Sequence, residues 1–155
     1  MANLKFERTI VVLPKEIFVF FVPQRMPLWY GAEMNSCFEV QGGAPDFAVG
    51  QKVRITGRLA EREVTLTTVV TAYQWERLFE WQFQDSYGVR GKQRWELQQM
   101  GSGTKLTVRD QYEMPGRIGK IVDRIFTRYG VAARDRAWLD RLQRLAEPRG
   151  SLRRL

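Results

Sequence analysis

Apolar residues recur at every second position through most of the chain up to Tyr112 and at helical spacing from Pro115 onward. The pattern predicts a strand-rich body closed by one long helix. In that closing segment, Pro115 to Glu147, the apolar stripe is Ile118, Val122, Ile125 and Tyr129, then Ala132, Leu139, Leu142 and Ala146. Ile121, Phe126, Trp138 and Leu145 widen it. Lys120, Asp123, Arg124, Arg128, Arg134, Asp135, Asp140, Arg141 and Arg144 make the opposite face, which reads as solvated. Pro115 suits a first helical position, where its missing N–H is no loss. Gly130 sits inside the pattern at a cost of about 1 kcal/mol relative to Ala, and predicts a kink or break.

Ahead of the helix, Leu4 to Leu13 reads as a strand that Pro14 ends. Glu16 to Phe21 is a short apolar helical patch, and Pro23 and Pro27 break the chain around a second short turn carrying Leu28, Trp29 and Tyr30, the latter two expected to be exposed. From Glu33 the period becomes two, with Met34, Ser36, Phe38 and Val40 on one strand face. Val53 and Ile55 mark the next strand, in which Gly57 suggests a bulge. Val64 to Tyr73, Arg77 to Asp85 and Val89 to Gln98 follow, then a strand on which Leu106, Val108, Asp110 and Tyr112 share a face. Short Gly-rich turns join them, as in an antiparallel meander that hides one face. The expected architecture is α+β: a seven-stranded curved antiparallel sheet wrapped around the long C-terminal helix, with two short helices after strand 1. Strand 1 is expected to return beside the last strand.

Composition narrows the chemistry. A chain of 155 residues is one ordinary domain, here assigned to residues 1–147 with a basic tail at 148–155. No apolar run approaches the ~20 residues of a membrane-spanning helix, and no secretory leader pattern is visible, so a cytoplasmic location is the default expectation. The single cysteine, Cys37, gives no disulfide framework and reads as a small strand residue. Twenty-five basic against 17 acidic residues leave +8, which favours weak contact with an anionic surface, membrane or nucleic acid. The basic residues are dispersed rather than clustered. Histidine is absent, which excludes Ser-His-Asp and Cys-His catalysis and histidine metal sites. Thiolate metal sites fail with one cysteine, and no Gly-rich phosphate loop leads from a strand into a helix. Neither a metal nor a cofactor is expected.

Phe6, Ile10, Leu13-Pro14, Glu16 and Phe18 open a series that continues through Trp29, Val49-Gly50, Trp81, Gly91, Trp95 and Leu97 to Gly103-Thr104 and Pro115-Gly116. In order and spacing this series resembles the START/Bet v1-like (SRPBCC) superfamily, in its polyketide cyclase/dehydrase and lipid-transport branch. Leu13 stands where that family often has a small residue. The resemblance implies a helix-grip fold with an apolar cavity between sheet and C-terminal helix. Alternation supplies the expected lining: Val53, Ile55, Phe79, Trp81, Phe83, Trp95, Leu97, Leu106, Val108 and Tyr112 from the sheet. Ile118, Ile121, Val122 and Ile125 complete it from the helix. Gln93 is a neutral hydrogen-bonding candidate on the same face. Arg8 and Asp110 share inward parity on strands expected to be neighbours, and are read as an ion pair. Glu63, Glu76 and Glu80 read as solvated strand charges.

The leading expectation is binding or transport of a small hydrophobic or amphipathic molecule, such as a lipid, isoprenoid or polyketide-like aromatic, by a monomer or homodimer. A cofactor-free cyclase or dehydratase using Asp110, Arg8 and Tyr112 is the alternative. An interaction module, as a chaperone cofactor or ribosome- or RNA-associated protein, is the third. The helix segment Ile118 to Ile125 is expected to wall the cavity, and Trp138 to Leu145 to seal the sheet.

Overall fold

Alternation of apolar and polar residues produces one seven-stranded sheet in the computed structural model, which describes residues 2–59, 61–116 and 128–147. In chain order the strands are β1 (Ala2–Ile10), β2 (Cys37–Val40), β3 (Lys52–Leu59), β4 (Arg62–Gln74), β5 (Leu78–Asp85), β6 (Arg90–Met100) and β7 (Gly103–Glu113). All pairings are antiparallel, and the spatial order is β1-β7-β6-β5-β4-β3-β2. The meander from β2 to β7 therefore ends with β1 returning beside β7, as the unpaired first strand requires. Helix α1 (Pro14–Phe18) and short 3-10 turns at Met26–Leu28 and Ala32–Met34 lie between β1 and β2, and helix α2 (Arg128–Ala146) follows the sheet. This is the helix-grip α+β arrangement.

Burial alternates cleanly on β6 and β7, with Gln93, Trp95 and Leu97 and then Leu106, Val108, Asp110 and Tyr112 buried between more exposed neighbours. Cross-strand register turns that alternation into rows on the inner face. Phe79, Trp95, Val108 and Phe6 form one row, and Trp81, Gln93, Asp110 and Leu4 the next. Against these rows α2 lays Trp138, Leu139 and Leu142, all buried, with Leu145 packed alongside. The C-terminal part of the helix seals the sheet as its stripe predicts.

Several local expectations fail for identifiable reasons. Trp29 and Tyr30 are fully buried, not exposed, because the Pro-flanked turn folds under the sheet. The Trp29 indole N–H donates to the Phe20 carbonyl at 2.9 Å, and the Tyr30 ring lies 4.2 Å from the ring of Trp138. No bulge occurs at Gly57, which pairs in register with Val64; the irregularity is in β4, between Val70 and Ala72. Gly57 is needed for another reason: a Cβ there would sit 2.5 Å from Met34 Cγ. Met34 accordingly lies in a 3-10 turn rather than on β2. Strand β1 ends at Ile10, short of Leu13; beyond it the Thr104 hydroxyl donates to the Val12 carbonyl and Glu16 accepts the Leu13 N–H.

Glu80 is not a solvated charge. It is 6% exposed beneath Thr71, Lys92 and Arg94 on the outer face of the sheet. Burial works to raise its carboxyl, but hydrogen bonds from Thr71 and Arg94 and the nearby cations more than offset this, leaving it below the usual carboxylate range. Helix α2 runs through Gly130, where a break was expected. The candidate lining Ile118, Ile121, Val122 and Ile125, and the tail 148–155, lie outside the described residues.

Candidate functional site

The row of Trp81, Gln93 and Asp110 puts an indole, a carboxamide and a carboxyl side by side inside the sheet. Gln93 is 2% exposed and Asp110 1%, so each needs partners from within. Trp81 Nε1 and the Tyr30 hydroxyl both donate to Gln93 Oε1, at 2.8 and 2.7 Å. Gln93 Nε2 stands 3.5 Å from Asp110 Oδ2, the long limit of a hydrogen bond. From α2, Arg134 donates through one terminal nitrogen to Asp110 Oδ2 at 3.3 Å and to Asp135 Oδ1 at 3.2 Å, while its Nε reaches the same Asp135 oxygen at 3.3 Å. The guanidinium also lies over the Trp138 ring, 4.5 Å from its centroid, where the π face favours a cation.

Two buried carboxyls share one guanidinium here. Burial, followed by the hydrogen bond to and the charge of Asp110, pushes the Asp135 carboxyl up to about 9 against the pull of Arg134. Asp135 therefore holds a proton at neutral pH. Asp110 Oδ1 and Asp135 Oδ2 accept no other donor among the described residues, which fits a proton held between the two carboxyls. Burial alone would lower the Arg134 guanidinium, but Asp135 and Asp110 more than compensate and it stays charged. Burial, the largest influence, pushes the Tyr30 phenol well up, so it is a neutral donor.

Two cavities border this network. One of about 160 Å³ is lined by apolar Leu66, Phe83, Val89, Met114 and Val131, with Asp85, Gln93, Asp110, Tyr112 and Arg134 as its polar groups. The other, about 10 Å³, lies between Trp29, Gln93, Trp95, Val108, Asp110, Asp135, Trp138 and Leu139. The smaller has room for one water beside several polar partners. A wider groove of about 750 Å³, lined by Thr67, Gln82, Gln84, Lys92 and Gln111 among others, carries mainly outward-facing polar side chains and no buried charge.

Among the sequence-derived candidates, Phe83, Gln93, Asp110 and Tyr112 meet at the larger cavity, and Trp95 and Val108 border the smaller. Val53, Ile55, Phe79, Trp81, Leu97 and Leu106 are packed in the core. Phe79 illustrates why: its ring centroid is 5.0 Å from those of Phe47 and Trp81 and 5.6 Å from that of Trp95. The expected Arg8–Asp110 pair does not form. Arg8 does face inward, but it is opposite Leu106 while Asp110 is opposite Leu4, so the two are four positions apart along the ladder, about 13 Å. Arg8 instead pairs with Asp140 of α2, and Asp110 with Arg134.

Tyr30, Arg134 and Asp135 were not among the candidates. For Asp135 the sequence held the signal: it precedes Trp138, Leu139 and Leu142 by three, four and seven residues, which places it on the buried stripe. Among the described residues no group of His, Cys, Asp and Glu is arranged to hold a metal ion, and no helix is long and apolar enough to cross a membrane.

A family model described as polyketide cyclase / dehydrase and lipid transport matches residues 1–147. Among solved structures, protein CV1439 from Chromobacterium violaceum superposes with a TM-score of 0.72 at 14% identity, covering 96% of this chain and 99% of its own. Protein MLL2253 from Mesorhizobium loti gives 0.73 at 16% identity, covering 95% and 98%. DynU16, of the dynemicin biosynthetic locus, gives 0.65 at 17% identity, covering 95% of this chain and 48% of that one. No curated protein matches by sequence. At these identities the structural likeness speaks for the fold.

Proposed function

The chain belongs to the polyketide cyclase/dehydrase and lipid transport family, and from that premise we propose that it binds a small amphipathic molecule against the Gln93–Asp110–Arg134 wall. The observation that carries this reading is a buried polar network bordering an otherwise apolar cavity, the arrangement that holds a ligand's body by contact area and its polar end by hydrogen bonds. A volume of about 160 Å³ suits one ring or an equal length of chain, since cavities of about 150 Å³ take benzene. Phe83 and Val131 supply contact for that ring, and Gln93, Asp110 and Arg134 meet its polar substituent.

Titration of p-cresol followed by tryptophan fluorescence tests the reading, because Trp81 and Trp138 adjoin the wall. Saturable quenching is expected in the wild type and not in Val131→Trp, whose indole would fill the cavity. Equal responses from both chains would place the probe elsewhere and overturn the reading.

The carboxyl pair supports a second reading, a cofactor-free dehydratase or cyclase. Asp110 would accept a proton from a bound carbonyl compound, and Arg134, not Arg8, would steady the developing oxyanion. On that reading Asp110→Asn loses turnover of a β-hydroxy carbonyl substrate; retained turnover removes it.

A further inference from the structure

In a chain carrying +8, the larger cavity is locally acidic. Asp85 and Asp110 line it, Asp135 stands behind Asp110, and Arg134 is the one cation among its described lining. Among the described residues, the charged and titratable groups around the Asp110–Asp135 pair are Tyr30 from the turn before β2, Asp85 of β5, Tyr112 of β7 and Arg134 of α2. Tyr30 is neutral, and Asp85 already receives the Tyr87 and Val89 backbone N–H groups at 2.8 and 2.9 Å. Two ionised carboxylates against one guanidinium would leave the buried network one positive charge short, and the proton held by Asp135 makes up that charge. Asp110 Oδ1 is the informative atom: its side chain is 1% exposed, its residue borders both cavities, and apart from the proton shared with Asp135 it receives no N–H or O–H from another described side chain.

We infer that the cavity takes a ring-bearing ammonium ion, whose N–H groups bind Asp110 Oδ1 in place of the proton held between Asp110 and Asp135. The inference rests on the binding reading above and names its ligand class. Binding is an exchange: the ammonium enters, the shared proton leaves to solvent, and the buried charge is conserved. A phenol or alcohol of the same size donates a hydrogen bond but brings no positive charge to replace that proton. A carboxylate meets two acidic side chains and is rejected. The ring occupies the space between Phe83 and Val131, within reach of the favourable π-face and aliphatic contacts there.

Calorimetric titration of the whole chain with benzylamine, benzyl alcohol and phenylacetate at pH 7, in buffers of different ionisation enthalpy, tests this. Benzylamine should bind at least about tenfold tighter than either competitor, with release of close to one proton. Between pH 6 and 8 its affinity should rise severalfold per pH unit, toward a limit of about tenfold, because the proton competes for the same place. Asp135→Asn, which cannot release that proton, should bind benzylamine without proton release and with most of the preference lost. Equal or tighter binding of benzyl alcohol, or no proton release from the wild type, overturns the ammonium inference and leaves the cavity reading standing. No binding of any of the three overturns both. The wild-type measurements suffice if Asp135→Asn does not fold.

Discussion

Asp135 shows how one side chain couples stability to pH. Its folded value of about 9 lies above the ordinary 3.8, so the folded chain holds a proton that the unfolded chain has lost. The resulting stabilisation is complete below about pH 4 and declines as pH rises through the folded value near 9. Asparagine keeps the acceptor toward Arg134 and removes the titration. Urea melts of wild type and Asp135→Asn at pH 5 and pH 8 should show the wild type losing ground to the variant at the higher pH. A constant difference would mean that Asp135 is not protonated in the fold. Removing the cation has the opposite logic. Arg134→Met leaves Asp110 and Asp135 buried without it and should cost about 2–3 kcal/mol at pH 7, discounted because the guanidinium is partly exposed. Gln93→Leu strands both the Tyr30 hydroxyl and the Trp81 indole N–H. A loss of about 1–3 kcal/mol per unsatisfied buried group is expected from thermal melts.

Among the elements, β6 and β7 are the most tightly constrained. A Cβ on Gly91 would meet the Gln111 carbonyl oxygen at 1.9 Å and Tyr112 Cα at 2.8 Å, both backbone atoms that cannot swing aside. Gly91→Ala should therefore cost at least about 3 kcal/mol, the upper end of overpacking penalties. Gly57→Ala meets the flexible Met34 side chain first and should cost about 1–2 kcal/mol; equal losses in chemical denaturation would contradict the geometry. The strands and their faces were legible in the sequence because burial on one face imposes a period of two on β5, β6 and β7. Partners across the sheet were less legible. Parity put Arg8 and Asp110 on the inner face, but only the register of β1 on β7 decides which inward residues meet. The Pro-flanked turn was misjudged because a stretch too short for periodicity gives no sign that Trp29 and Tyr30 fold inward. Asp135 was misassigned by residue type despite its position on the buried stripe.

At the scale of the whole molecule, the sheet's aromatic wealth is spent mostly on itself. Phe79, Trp81 and Trp95 pack with Phe21, Trp29 and Tyr30 into one core, and the described cavity is left to a smaller set around Phe83, Gln93, Asp110 and Tyr112. Alternation distinguishes inside from outside; it does not distinguish packed from cavity-lining, because both face inward. Core and site should accordingly separate on mutation. Trp138→Ala, which loses its packing on Tyr30 and its hydrogen bond to Glu33, should destabilise by about 3–5 kcal/mol in urea. Val131→Trp should instead block ligand with a smaller change in stability, since it fills existing space.

A ligand seated against Gln93, Asp110 and Arg134 would be reported directly by the five tryptophan indole N–H resonances. In a titration of the labelled protein with a ring-sized ligand, the N–H of Trp81, bonded to Gln93, and that of Trp138, whose ring lies under Arg134, should shift together and saturably. Exposed Trp75, packed on Phe18 away from the cavity, should not move. Shifts confined to Trp75, or no saturable shift at Trp81 and Trp138, would contradict the account.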